Sequence, residues 1–263
     1  MKLVSLCLLV AGAVPAVAAS APALFPKPLH IVRRVEDPFV KKAIVVDQYC
    51  AGDRVVTVSD DRVTIVDYAQ QQVTEINRAA STYSITRFDE IARAALPAAA
   101  AKSAAAPKVT PLGMKSSAAG RSADSFEIDG GRIKIVAGID RSVVLSRDAV
   151  EVLIGSAYPG VKRPEHEALL GVAAATHNGG RIAANAAAAP AEYGLPIEQT
   201  ITVRNEDGTN AVTRISIVRF DNDLPPPAML AIAPEAKRVE SRVSRFSQEM
   251  HDADTIPIAP RKP

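Results

Sequence analysis

Few residues in this chain are placed to do chemistry. Glu165-His166-Glu167 together with His177 offers the imidazole and carboxylate mixture that zinc sites use. His166, however, opens a helix in the charged run KRPEHE, and His177 adjoins HNGG, so both read as solvated surface side chains and no metal is expected. His30 and His251 complete the four histidines. Asp67, Glu75 and Asp89 stand near the ends of short apolar runs, where paired carboxylates could share acid–base work. Turn and capping roles account for them more simply. No G-x-S-x-G, phosphate loop, G-x-G-x-x-G or H-E-x-x-H occurs, so the residues ask for neither catalysis nor a cofactor.

The chain opens MKLVSLCLLVAGAVPAVAAS, one lysine followed by an apolar run and small residues, the layout of a secretory signal peptide. Cleavage is expected near Ala18 or Ala19, which makes residues 1–19 a leader and the product exported, periplasmic or secreted. Pro15 and the short apolar run argue against an anchor, since a span needs about 20 apolar residues. Cys7 follows Leu6 where a lipid-attachment box wants Gly or Ala, so lipidation is not expected. After the leader Cys50 stands alone; one thiol closes no intramolecular disulfide, and it reads as a buried, inert side chain. Removal of Lys2 takes the formal charge from +2 to +1, a near balance that gives no reason to expect nucleic acid.

The segment Pro97–Ala123, PAAAAKSAAAPKVTPLGMKSSAAGRSA, has no aromatic residue and three prolines. With little to bury it cannot repay the entropy of ordering, and it reads as an insertion or linker at about 97–123. HNGGRIAANAAAAP, residues 177–190, is a second low-complexity stretch, and residues 251–263 form a loose Pro-rich tail. Residues 20–250 are otherwise expected to make one domain.

AIVVDQY, DRVVTVS, RVTIVDY, QVTEIN and STYSI follow one another at roughly ten-residue intervals, separated by polar breaks, the cadence of an antiparallel meander. The period then changes: TRFDEIARAAL sets Phe88, Ile91 and Ala95 at helical spacing, with Thr86 and Asp89 as a capping pair. After the linker DSFEID, GGRIKIVAG and RSVVL are strands, and SRDAVEVLIG is a helix capped by Ser146 that buries Val150, Leu153 and Ile154. IEQTITVRN and NAVTRISIVRF make a hairpin around Asp207-Gly208. The sum predicts an α+β fold, a curved, incompletely closed antiparallel sheet covered by a few helices.

IVDY, VTEIN and STYS, then an insertion, then Gly194-Leu195-Pro196 entering a hairpin and DNDLPPPAML after it, resemble the LolA/LolB-like superfamily of periplasmic lipoprotein carriers and exported relatives. The resemblance covers roughly residues 40–95 and 124–240, in order and rhythm; the long Ala-rich insertion and the absence of Trp depart from it. It implies a half-barrel whose concave apolar side holds acyl chains or another hydrophobic ligand. A bent sheet that does not fill its own hollow is a default site for such ligands. Val63, Ile65, Ile133, Ile135, Ile215 and Ile217 are the candidate lining residues, ordinary core beneath a helix being the competing role. The expected function is a non-catalytic binding or carrier module for a lipid- or lipoprotein-like ligand.

The alternative is a structural or protein-interaction component of the envelope. It rests on PEAKRVESRVSRFSQEM, Pro234 to Met250, where Ala236, Val239, Val243, Phe246 and Met250 form one stripe of an expected helix at about 235–250. Such a helix packs on the sheet, or meets an envelope protein or membrane surface.

Overall fold

The alternating runs become strands of a single open sheet. The computed structural model describes residues 23–38, 42–95, 106–154, 164–174, 192–205 and 207–241. The first strands are β1 (Phe25–Glu36), β2 (Ile44–Gly52), β3 (Arg54–Ser59), β4 (Arg62–Asp67), β5 (Gln72–Asn77) and β6 (Thr82–Arg87), followed by α1 (Phe88–Ala95). A second series runs β7 (Lys108–Ala118), β8 (Arg121–Asp129), β9 (Ile133–Leu145), α2 (Arg147–Ile154), α3 (Pro164–Ala174), β10 (Tyr193–Arg204) and β11 (Asn210–Asp221). The short α4 (Pro227–Leu230) and the two-residue β12 (Lys237–Arg238) come last.

The twelve strands lie in the order β12-β6-β5-β4-β3-β2-β1-β11-β10-β9-β8-β7. Two meanders, β1–β6 and β7–β11, are therefore joined at the centre by antiparallel pairing of β1 with β11, where His30 faces Asp221. Tight connections within the first meander place Asp60, Gln71 and Ser81 at positive φ, and at the β7–β8 turn Ala119 and Gly120 both adopt it, as a primed hairpin turn demands.

Register assigns every side chain to one of two faces. One row runs Leu29, Cys50, Val55, Val66, Val73 across β1 to β5, and all five belong to one buried cluster with Ile91 of α1, Ala149 and Leu153 of α2 and Ile217 of β11. This is the inner, concave face. The curvature brings β7 and the start of β8 back over β10 and β11, so that the Arg121 guanidinium stands 4.7 Å from the centre of the Phe220 ring. A second cluster fills the far half of the concavity, where Leu169, Leu170 and Val172 of α3 pack on Ile128, Ile135 and Ile139. Burying a Leu, Ile or Val side chain contributes about 1.5–3 kcal/mol, so these clusters are the main stabilising term.

The outer face carries the row His30, Tyr49, Val56, Ile65, Thr74 and Ile85. From Asn222 the chain turns onto this face as a strap. Met229 and Leu230 of α4 pack on Tyr49, Val56, Val63 and Ile76, and Arg78 Nη2 donates to the Met229 carbonyl at 3.3 Å. The strap ends beside β6, paired parallel to it through Lys237 and Arg238.

Three expectations are corrected. The region about 97–123 is not all linker: Lys108–Ala118 and the residues from Arg121 are strands β7 and β8, whose backbone hydrogen bonds repay ordering that side-chain burial does not; residues 97–105 lie outside the described residues. The helix at about 235–250 is not present in its described part. Residues 234–241 are non-helical, with β12 within them, because Lys237 and Val239 donate backbone N–H groups to the Ser81 and Tyr83 carbonyls on the open edge of β6. Residues 242–250 lie outside the described residues, as do residues 1–19, 177–190 and 251–263. Thr86 is no helix cap but a buried residue of β6, while Ser146 Oγ does accept the Ala149 N–H at 3.2 Å.

Candidate functional site

The six expected lining residues do not surround one hollow. Ile133, Ile135, Ile215 and Ile217 face inward; Ile135 and Ile217 are fully buried in the two clusters there, and Ile133 is packed against the second. Val63 and Ile65 face outward, into the cluster beneath the strap. Val63, Ile135 and Ile217 are core, Ile65 and Ile133 pack against it, and Ile215 is partly buried.

A cleft of about 440 Å3 opens instead on the outer face, between the sheet and the strap. Tyr49 of β2 and Val56 of β3 form its floor, and Leu224, Pro225 and Leu230 its roof. The floor is rigid because Val56 is 2% exposed and its neighbours pack on both sides of the sheet. The roof is formed by three apolar side chains from a segment in which Pro225 and Pro226 restrict φ ahead of α4, which opens at Pro227. At the mouth Arg54 of β3 donates through Nη2 to Asp67 of β4 at 2.6 Å, and the Gln70 N–H donates to the other Asp67 oxygen at 2.9 Å. Burial alone would raise the Asp67 pKa, but these donors outweigh it and hold the carboxyl below its ordinary range.

Beside the floor, on the same outer face, lies a buried polar group that the sequence reading passed over. His30, 2% exposed on β1, stacks on Tyr49 with ring centroids 4.0 Å apart and planes 3° apart. Its Nε2 lies 3.0 Å from Asp47 Oδ1 on β2, and its Nδ1 2.9 Å from Asp221 Oδ1 on β11. Carboxylates only accept, and a ring nitrogen donates only when it carries a proton, so both contacts are hydrogen bonds together only in the doubly protonated ring. Asp221 also accepts the Asp223 N–H at 3.0 Å, while Arg219 bridges Asp221 at 2.6 Å and Asp223 at 2.9 Å. Burial pushes the Asp221 pKa upward, but the Asp223 N–H and His30 more than offset it and keep the carboxyl below its usual value. Burial also raises the Tyr49 pKa, and the Asp47 charge adds to the effect.

Ligating atoms of His30, Asp221 and Asp223 lie within 4.8 Å of one another. The histidine nitrogens are already committed to carboxylates and Arg219 neutralises both acids, which makes this an ion-pair network. Of the His166 grouping, for which no metal is expected, Glu167 pairs with Arg147 at 3.5 Å, and His177 lies outside the described residues. Asp67, Glu75 and Asp89 are not brought together. Asp67 pairs with Arg54, Glu75 lies 3.4 Å from the Ser84 hydroxyl on the inner face, and Asp89 pairs with Arg87 and Arg93 at the helix start. Cys50 is buried as expected, and burial pushes its thiol up to about 12, with Arg33 opposing.

No protein-family model and no curated protein sequence matches the chain. Among solved structures, PNGF-II in two crystal forms gives TM-scores of 0.40 and 0.39 at 5% identity, over 85% and 84% of this chain and 33% of that one. The chain thus spans about a third of the length of PNGF-II. The LolA superfamily protein NE2245 from Nitrosomonas europaea gives a TM-score of 0.27 at 6% identity, over 78% of this chain and 89% of that one. At such values neither likeness carries an inference. The class is defined by the chain's own open, curved antiparallel sheet.

Proposed function

We propose that the protein is an exported, non-catalytic binding module that holds a hydrophobic small molecule or acyl chain in the cleft beneath the strap. The observation that carries this reading is a preformed cleft of about 440 Å3 with apolar side chains above and below, within the range of about 300–1,000 Å3 usual for ligand sites. Each methylene moved from water into it contributes about 0.8 kcal/mol, so useful affinity needs no specific hydrogen bond. The leader sequence supports export. Docking through a helix starting at Pro234 draws no support from the non-helical backbone of residues 234–241.

The test is titration with N-phenyl-1-naphthylamine, a neutral fluorescent apolar probe. Saturable binding is expected, weakened about tenfold or more by Leu224→Asp, as a charge in an apolar roof must be desolvated. Leu224 is 60% exposed, so the substitution leaves the fold intact by circular dichroism. Binding unaffected by Leu224→Asp removes the cleft as the site.

A further inference from the structure

His30 stands at a junction between the two surfaces of the cleft. Its ring stacks on Tyr49, which is the floor. Its Nδ1 partner, Asp221, is the last residue of β11 and the anchor of the strap: Asp221 Oδ1 accepts the Asp223 N–H, and the next two residues, Leu224 and Pro225, are roof. The imidazole thus meets both the floor and the start of the strap, which is held farther along by Met229 and Leu230 packing, by Arg78 and by the pairing of β12 with β6.

We infer that His30 is a protonation latch: with both ring nitrogens protonated it ties the strap to the sheet and keeps the cleft formed, and loss of one proton releases the roof. The inference rests on the cleft being a binding site only in its consequence for ligand; the movement of the strap is separable from it. The chemistry is that of donors and acceptors. A neutral imidazole has one donor, so either Asp47 or Asp221 would then face a ring lone pair at 3.0 or 2.9 Å, an unfavourable contact inside the protein. Imidazole is the side chain suited to change charge between about pH 5 and 8.

The charged and titratable groups around the ring are few. Asp47 and Tyr49 face it from β2, Asp221 and Arg219 from β11, and Asp223 from the strap. Arg34 follows on its own strand, paired with Glu36 at 3.0 Å. Among the described residues Arg219 and Arg34 have carboxylate partners, and the second ring proton supplies a charge that matches Asp47. Asp221 stays ionised into acid, which leaves the imidazole as the group that switches.

The chain contains no tryptophan, so Leu224→Trp supplies a single reporter on the strap of the full chain. Its emission is expected to shift to the red between about pH 5 and 8 as the roof loosens. Adding His30→Gln should flatten that step. Asp47→Asn, which keeps the histidine and the fold, should flatten it too, because the amide can donate to a deprotonated Nε2. In parallel, the dissociation constant for N-phenyl-1-naphthylamine should rise about tenfold over the same window in the unsubstituted protein. A flat reporter profile, or a step that persists in both His30→Gln and Asp47→Asn, overturns the latch. A histidine-dependent step with no probe binding at any pH leaves the latch standing and removes the ligand reading.

Discussion

Arg54 donates to Asp67 Oδ2 through both Nε, at 3.1 Å, and Nη2, at 2.6 Å, and so ties β3 to β4 at the mouth of the cleft. The pair sits across the register position where these two residues face each other, so the strand pairing brings it together and the ion pair in turn fixes the mouth.

Replacing Asp67 by Asn should lower stability by about 1–2 kcal/mol at pH 7, since a buried acceptor loses charge-assisted bonds while Arg54 stays half exposed. The folded-state pKa of Asp67 lies below its unfolded value. Its contribution is therefore complete above the ordinary carboxylate pKa, about 3.9, and is lost as the pH falls through the depressed value. Urea melts of the two proteins should differ at pH 7 and converge in strong acid.

Ile217→Ala should cost about 2–5 kcal/mol, the range for a cavity in a packed interior. Ile133→Ala, at a partly buried position on the same face, should cost less. Were Ile217 a wall of an empty hollow, its truncation would be nearly silent in a denaturant melt and visible only in probe binding.

Gly194 of β10 lies so close to β9 that an added Cβ would stand 2.7 Å from Ile139 Cγ2 and 3.0 Å from the Asp140 carbonyl. Gly194→Ala should therefore destabilise by about 1–3 kcal/mol through overpacking, although alanine normally lowers the unfolded chain's entropy. A thermal melt distinguishes the two senses.

The Cys50 thiol, buried and shifted to about 12, should be silent to an aromatic disulfide reagent at pH 8 while the protein is folded. One additional thiol should appear per chain on transfer to urea. Rapid reaction of Cys50 under native conditions would mean that β1 and β2 open readily.

How much of this was legible follows from where each strand sits. Strands β2 to β6 alternate because each half of the meander has a distinct inner and outer face, and their turns are spelled out by polar residues. β1 escaped notice for two physical reasons. Leu29 to Val32 is buried on both faces, so it shows no two-residue period. Pro26 and Pro28 cannot donate to a ladder, and the register indeed breaks between Phe25 and Leu29. β7 was hidden by its small and polar composition, which suits an edge strand with Pro111 and a bulge around Gly113. The helix expected from Pro234 had a sound apolar period, but periodicity says nothing about an unpaired sheet edge waiting for a strand. His30 was illegible because its partners lie 17 and 191 residues away.

The central seam between β1 and β11 has a consequence for biogenesis. Its partners are 191 residues apart at His30 and Asp221, so the first meander can zip up from neighbouring segments while the seam waits for β11 to be made. During that interval β1 presents a bare row of backbone donors and acceptors at what will become the middle of the molecule. A chain released slowly segment by segment would thus pass through a half-built sheet with its stickiest border uncovered, and holdase chaperones would be expected to act in that window.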